Sequence, residues 1–233
     1  QTVHVRWDAN TAILSGDSML VLAFERMAQC DSRHLSEVLR LFTVTALEIG
    51  EGQQYDMEFE NRNDVKEEEY IEMIRLKTSV LLACAMKIGA ILADAPAEDV
   101  ENLYKFGEQI GLAFQLQDDY LDVYGDPKVF GKKIGGDIIC NKKTYMLINA
   151  FNKANARQRK ELEKWIGCEN FNHEEKVVAV TELYNSIGVD KMAIERINYY
   201  FDEANKYIAA VNLPDERKAE LLAYAQKMLH RKW

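Results

Sequence analysis

The chain has 233 residues, of which 48% are hydrophobic, and a formal net charge of −9. This length and apolar content suffice for one large domain with a sizeable core, whereas the negative charge argues against general nucleic-acid binding, which requires a basic surface. Only 3 Pro and 12 Gly are present, which favours long helices over a turn-rich β protein.

The cysteines and apolar runs indicate the cellular compartment. Cys30, Cys84, Cys140 and Cys168 are far apart and form no CxxC pair, as is typical of reduced thiols rather than of a disulfide framework or a zinc site. The apolar stretch at residues 80–92 contains a lysine and is too short to span a bilayer. We therefore expect a cytoplasmic protein without stable membrane insertion.

The first half of the chain has the apolar spacing of long helices. Four helical patterns are predicted, over residues 11–28, 35–60, 67–92 and about 98–124. The pattern over 11–28 has a wide apolar stripe, which predicts burial. Pro96 separates the third pattern from the fourth, and Gly125-Asp126-Pro127 ends the fourth.

The second half begins with a glycine- and lysine-rich loop over residues 129–141. Four or five shorter amphipathic helices are predicted from residue 142 to the end. Strict alternation of apolar and polar residues, which would indicate strands, is absent, and neither a low-complexity linker nor a repeat divides the chain. The sequence therefore predicts a single all-α domain over residues 1–233.

Three carboxylates lie within five positions of the fourth helical pattern. On a helix, Asp118 and Asp122 share one face with Gln115, and Asp119 lies about 100° around from Asp118. An acidic cluster can be a solvated face, but the flanking residues are apolar, and buried acids are rare unless paired or metal-bound. Carboxylates suit Mg2+, which usually takes one or two of them together with waters and phosphate oxygens.

Lysines near the acids could complete a diphosphate site. Lys132 lies in the glycine-rich loop and Lys142 just after it; glycine allows the backbone to approach a ligand, and lysine binds phosphate as a point charge. An ordinary basic loop is the alternative, but its position beside the acids favours a shared site. Lys77 lies within an apolar helical pattern, where it either reaches the surface or points a cation into a pocket beside Thr78.

In their order and spacing, these segments resemble the trans-isoprenyl diphosphate synthases, also called polyprenyl synthetases. The resemblance covers almost the whole chain and is carried by His4 with residues 12–17, Gly52-Gln53 with Asp56, Lys77-Thr78, Phe114-Gln115 with Asp118, Asp119 and Asp122, and Gly131-Lys132 with Gly135, Asp137, Lys142 and Thr144. It implies an isoprenoid synthase-type helical bundle, usually a homodimer. It also implies Mg2+-dependent head-to-tail condensation of isopentenyl diphosphate with dimethylallyl, geranyl or farnesyl diphosphate.

The resemblance implies a role for each matched residue. Four acids would hold Mg2+, the last through water: Asp118, Asp119, Asp122 and Asp137. Six residues would bind the substrates: Lys77, Lys132, Lys142, Phe114, Gln53 and His4. The allylic cation formed on ionisation would be stabilised by the oxygens of Thr78, Gln115 and the Lys77 carbonyl, and the departing diphosphate would take the final proton.

One element of the family pattern is missing. The family carries a first aspartate-rich motif with paired arginines, which would lie just before Gln1, and an isopentenyl site further upstream. We therefore expect this chain to be an N-terminally truncated synthase, about the C-terminal two-thirds, and to be inactive alone. Two alternatives remain: a noncatalytic partner subunit, against which the complete acid and lysine sets argue, and a class I terpene cyclase, which Lys77-Thr78 and the glycine-lysine loop fit poorly.

Overall fold

The computed structural model describes residues 1–126, 134–168 and 170–229, and within these ranges it is built of helices without a strand. The prediction of an all-α fold is therefore confirmed. In chain order the elements are α1 (Val3–Arg6), α2 (Ala9–Met27), α3 (Leu35–Glu60), α4 (Glu67–Ile74), a π-helical segment (Arg75–Ser79), α5 (Val80–Leu92), α6 (Ala97–Tyr124), α7 (Gly136–Ile139), α8 (Tyr145–Lys153), α9 (Ala156–Gly167), α10 (His173–Ile187), α11 (Val189–Ala210) and α12 (Asp215–Leu229).

Helix α6 is the centre of the fold. It packs most extensively against α11 and α5 and also contacts the π-helical segment, α12, α7 and α8. Because neighbours surround it, its buried residues are not confined to one stripe; they include Phe106, Ile110, Leu112, Ala113 and Leu116. The acids of the fourth helical pattern are therefore placed on a buried helix, as the sequence predicted.

The core is divided into clusters at different points along α6. The largest includes Tyr70, Leu116, Tyr145 and Tyr184 and lies around the half of α6 that carries the acids. A second cluster includes Phe106 and joins α6 to α11 and α12. In the described part of the chain, no helix is both long enough and apolar enough to cross a membrane.

Two glycines allow α6 to approach the chain before it very closely. A Cβ atom on Gly107 would lie 2.8 Å from Cα of Ala83, and one on Gly111 would lie 2.5 Å from Cα of Ser79. Their spacing of four residues places both glycines on the same face of α6. At this contact the backbones meet at a distance that no larger residue permits.

The helix predicted over residues 67–92 is interrupted. Between α4 and α5, residues Arg75–Ser79 form a π-helical turn, and the N–H of Val80 donates to the carbonyl of Arg75. Helix α3 packs tightly here, since a Cβ atom on Gly52 would lie 2.4 Å from the main-chain N of Lys77. Such turns insert a residue, re-aim the side chains that follow, and are frequent at functional sites. Lys77 and Thr78 both lie within this turn.

The apolar stripe predicted over residues 11–28 is not buried by the described part of this chain, so it is not part of the core, and burial in an interface with a partner stays a prediction. Helix α2 forms at Ala9–Met27, but none of its residues is buried, and Leu14 and Met19 are 66% and 70% exposed. Its main contacts are with α1 and α3. The apolar spacing correctly predicts a helix, but it does not establish that another part of this chain covers the apolar face.

The glycine contact generates a stability prediction. We expect Gly111→Ala to lower the free energy of unfolding by about 1–3 kcal/mol, because the added methyl group overlaps Ser79 and forces the two segments apart. Urea unfolding followed by circular dichroism measures the change. Gly89→Ala in α5 is the matched control, since nothing lies within 4 Å of its Cβ position. There we expect a gain of about 0.5–1 kcal/mol from helix propensity. Equal effects of the two substitutions would contradict the role of the contact.

Candidate active site

The end of α6 and the start of α7 are joined through Asp122. The N–H of Asp137 donates to Asp122 Oδ2 at 3.0 Å, and the N–H of Gly135 donates to the Asp122 carbonyl at 2.7 Å. Gly135 has a φ of +81°, a left-handed conformation that glycine adopts without steric cost. This turn brings Asp137 beside the acids of α6.

Several carboxylates lie within electrostatic reach of Asp137. Burial raises the pKa of Asp137, the ammonium of Lys142 opposes this, and the charges of Asp122, Asp56 and Asp118 raise the pKa further. Such crowding of like charges favours binding of a cation. The structure thus brings Asp118, Asp122, Asp137 and Lys142 into one neighbourhood.

Asp119 has a different environment from the other acids of α6. It is 3% exposed, and its Oδ2 accepts hydrogen bonds from the hydroxyl of Tyr70 and, at 3.3 Å, from the main-chain N–H of Tyr145. Gln115 Nε2 donates to Oδ1 at 3.4 Å. Burial raises the pKa of Asp119 to about 7, although the Tyr70 hydrogen bond opposes the rise. Protein donors therefore orient Asp119, whereas Asp118 and Asp122 are only half-buried.

Tyr70 is a residue that the sequence did not single out. It lies on α4 and is 1% exposed. Its hydroxyl donates a hydrogen bond to Asp119, which lies 49 residues later in the sequence. Burial and the charge of Asp119 both raise the pKa of the Tyr70 hydroxyl, so it acts as a hydrogen-bond donor. The available signal was weak, because one tyrosine in an acidic helix is more often an ordinary core residue.

The π-helical turn carries two of the predicted catalytic residues. The ammonium of Lys77 contacts Asp56 Oδ2 on α3 at 2.6 Å. The hydroxyl of Thr78 donates to Gln115 Oε1 at 3.2 Å, so Gln115 links the turn to Asp119. Because Thr78 uses its hydrogen in this bond, the lone pairs of its oxygen remain able to face a positive centre.

Burial and charge act in opposite directions on Lys142. Its burial lowers the pKa, but the charges of Asp137, Asp119 and Asp56 outweigh this effect, and the pKa is raised overall. Lys142 therefore remains a cation among carboxylates, which suits a ligand that carries several phosphate oxygens.

The remaining predicted substrate-binding residues are less well placed. Phe114 is half-buried and lines a cavity of about 620 Å³ together with Leu82, Met86 and Tyr224. Gln53 is exposed on α3, and its side chain makes no hydrogen bond to a described residue. His4 lies on α1, whose main contact is α2, so it is not brought to the acids. Lys132 lies outside the described residues.

The donors fit a metal that arrives with a phosphorylated ligand. Over residues 1–126, 134–168 and 170–229, no three His, Cys, Asp or Glu side chains converge closely enough to hold an ion by themselves. Mg2+ commonly takes only one or two protein carboxylates and completes its shell with waters and phosphate oxygens. Asp118 and Asp122 supply that number of carboxylates on one helix face, and Asp137 lies beside Asp122.

The burial of Asp119 generates a pH prediction for the metal-free protein. Its pKa in the folded state is raised to about 7, above the roughly 3.9 of an unfolded chain, so its ionisation progressively lowers the stability of the wild type as the pH rises from 4 through 7. Asparagine cannot ionise. We therefore expect Asp119→Asn to be more stable than the wild type at pH 8, by an amount on the order of 1–3 kcal/mol.

This difference should narrow steadily towards pH 4, where Asp119 is protonated in the folded state and about half protonated in the unfolded state. Urea unfolding in the presence of EDTA at several pH values measures it. The exposed acid Asp202 on α11 provides the control, and Asp202→Asn should show a difference that is small at every pH. A stability difference for Asp119→Asn that does not change with pH would contradict the raised pKa.

The sequence of the chain matches a known protein family and curated relatives. The family model described as polyprenyl synthetase matches residues 1–184. A short chain isoprenyl diphosphate synthase of Methanothermobacter thermautotrophicus is 39% identical over 208 residues, which cover 84% of this chain and 63% of the relative. The chain thus spans less than two thirds of the length of that curated protein.

Solved structures of isoprenoid synthases also match this chain over nearly its whole length. A crystal structure of a geranylgeranyl pyrophosphate synthase matches 100% of this chain and 72% of its own, at a TM-score of 0.94 and 40% identity. A polyprenyl synthase from Caulobacter crescentus, complexed with calcium and isoprenyl diphosphate, matches 99% of this chain and 69% of its own, at a TM-score of 0.88 and 28% identity. The matched family model, the sequence identity and the shared fold together show that the chain belongs to the polyprenyl synthetase family.

Proposed function

We propose that the protein is a prenyltransferase that condenses isopentenyl diphosphate head-to-tail with an allylic diphosphate to make a longer trans-prenyl diphosphate. The observation that carries the proposal is the continuous set of contacts from the π-helical turn, through Thr78 and Gln115, to the acids of α6. This set of contacts supports the proposal, because oxygens that could face a positive carbon are linked to acids that could hold the metal of a diphosphate. The whole-chain similarity to isoprenyl and geranylgeranyl diphosphate synthases supports the same substrate class.

The acids of α6 and α7 are the proposed metal site. Asp118 and Asp122 would hold Mg2+, and Asp137 would act through water. When bound, Mg2+ neutralises the charge of the diphosphate and makes it a better leaving group. The complex of the Caulobacter relative with calcium and isoprenyl diphosphate supports a divalent metal at such a site. Asp119 is also a metal residue in the family pattern. Because its Oδ2 is held by Tyr70 and Tyr145, we propose that it instead fixes the orientation of this part of α6.

The lysines are proposed to hold the allylic diphosphate. Asp56 keeps the ammonium of Lys77 in place at 2.6 Å, and Lys142 lies among the acids, so both cations are positioned before the ligand arrives. Preorganised charge of this kind stabilises the leaving group without reorganisation during the reaction. Lys132 is proposed for the same role from the family pattern alone.

The allylic cation is proposed to be stabilised by oxygens and enclosed by an apolar wall. The lone pairs of Thr78 and the amide oxygen of Gln115, with the main-chain carbonyl of Lys77, would face the positive carbon. The ring of Phe114 would form part of the apolar wall around isopentenyl diphosphate, the homoallylic substrate. The departing diphosphate would take the proton lost in the final step, so a histidine or glutamate base is not required.

Two properties of the whole protein are also proposed. A homodimer is supported by the apolar face of α2, on which Ile13, Leu14 and Val21 are each more than 60% exposed and which a partner would cover. Sedimentation of the whole protein as a monomer at micromolar concentration would contradict this. A cytoplasmic location is supported by the four free cysteines.

An activity assay tests the proposed reaction. The whole protein is incubated with radiolabelled isopentenyl diphosphate and dimethylallyl, geranyl or farnesyl diphosphate, with Mg2+ or with EDTA. We expect Mg2+-dependent product, lowered about 10²–10³-fold in Asp118→Ala because the ionising diphosphate loses part of its charge stabilisation. The exposed acid Asp202 supplies the control, and Asp202→Ala should retain full activity. A folded protein that binds diphosphate but forms no product with any primer would instead favour the noncatalytic partner subunit.

Tyr70 generates a second kinetic prediction. We expect Tyr70→Phe to lower kcat or Mg2+ affinity about 10–100-fold, because residues that orient the acids of a metal site commonly have effects of this size. The Mg2+ concentration for half-maximal rate, measured with kcat, separates the two effects. Tyr55→Phe is the matched control, since the Tyr55 hydroxyl donates to Glu51 at an exposed position. Equal activities of the two variants would show that the Tyr70 hydroxyl does not position the site.

A further inference from the structure

A second cavity shares no lining residue with the one that Phe114 lines. It has a volume of about 480 Å³ and opens between the turn that precedes α4, helix α8 and helix α9. Cavities of this size accommodate small ligands. None of the acids of α6 or α7 lines it. It approaches the candidate active site through Lys143, which follows Lys142 in sequence. We refer to it as the side cavity.

The rim of the side cavity is positively charged. Lys66, Lys143 and Arg159 line it, and none of the three forms an ion pair with a carboxylate in the part of the chain that the structure describes. Lys143 is half-buried, its ammonium lies 3.4 Å from the carbonyl of Asn141, and burial lowers its pKa, although the charge of Glu60 opposes this.

The acids at the rim do not neutralise these cations. The carboxylate of Asp64 is already occupied by Arg62 at 2.9 Å, and among the described residues Glu163 is the other acid that lines the cavity. The described lining residues therefore carry three positive and two negative charges, in a chain whose net charge is −9. A half-buried cation without an anionic partner favours binding of an anion.

The floor of the side cavity is apolar. Val65, Leu147, Ile148, Phe151 and Ile166 supply it. The guanidinium of Arg159 lies 5.7 Å from the centre of the Phe151 ring and donates to the Phe151 carbonyl, so the cationic rim and the apolar floor meet at one point. Binding pockets commonly combine an apolar lining with a few polar groups that fix the orientation of the ligand.

We propose that the side cavity is a second ligand site, which binds an amphipathic anion: a phosphate or carboxylate head held by Lys143 and Arg159, with a hydrocarbon chain along Phe151 and Leu147. An inorganic anion would leave the apolar floor uncovered, and a neutral hydrocarbon would leave the cations unpaired. The site is separate from the proposed condensation reaction and does not depend on it.

Calorimetry with defined probes tests this proposal. The protein is titrated with decyl phosphate, with decanoate and with inorganic phosphate, each below its aggregation concentration and with EDTA present so that metal-dependent diphosphate binding is silent. We expect saturable binding of at least one amphiphile, and the comparison of the two identifies the preferred head group. Inorganic phosphate should bind at least 10-fold more weakly, because it cannot cover the floor.

Variants assign the binding to the side cavity. We expect Arg159→Ala to weaken the binding of the amphiphile about 10-fold, through loss of a charged contact, whereas Lys160→Ala, at the next exposed position of α9, should leave it unchanged. Asp118→Ala should also leave it unchanged. Loss of binding in Asp118→Ala, absence of binding by either amphiphile, or equal affinity for inorganic phosphate would overturn the proposal.

An NMR titration of the wild-type chain tests the proposal without relying on correct folding of the Arg159→Ala variant. Decyl phosphate should shift the amide signals of residues 63–66 and 147–151 before those of residues 115–122. Shifts that appear first at residues 115–122 would place the ligand at the acids and contradict a second site.

Discussion

The hydrogen bonds that hold Asp119 are the constraint on which the candidate site depends. An acid inside a helical core is costly unless donors satisfy it, and here the donors come from two different segments, the Tyr70 hydroxyl on α4 and the Tyr145 N–H at the start of α8. The same carboxylate thereby ties α6 to α4 and α8. Asp118 and Asp122, one position before and three after it, are then presented on a helix whose rotation is fixed.

The second constraint is the close approach of three backbones around the π-helical turn. Gly52 on α3 and Gly111 on α6 contact the turn from different sides, at Lys77 and Ser79 respectively. Neither contact leaves room for a larger residue. As a result Lys77 reaches Asp56 and Thr78 reaches Gln115. The glycines thus serve the chemistry indirectly, because they set where the side chains of the turn can point.

The elements that periodicity describes well were predictable from the sequence. Helix α3 forms at the predicted residues 35–60, and α6 is buried around its acids, because apolar spacing over many turns is a strong signal. The π-helical turn was not predictable, since one inserted residue hardly changes that spacing. The hydrogen bond between Tyr70 and Asp119 was not predictable either, because the two residues are 49 positions apart and only tertiary packing brings them together. The exposure of α2 was missed for a related reason: an apolar face does not reveal what covers it.

The most direct test of this account is a structure of the protein with Mg2+ and a non-ionisable allylic diphosphate analogue. We expect each of Asp118 and Asp122 either to place an oxygen at about 2.0–2.1 Å from a metal ion or to accept a hydrogen bond from a water that the ion binds. Asp119 should still be bonded to Tyr70 and Tyr145. The diphosphate should lie between these acids and the ammonium groups of Lys77 and Lys142. A metal ion bound by Asp119 after it has left Tyr70, or a diphosphate away from both lysines, would contradict the central claim.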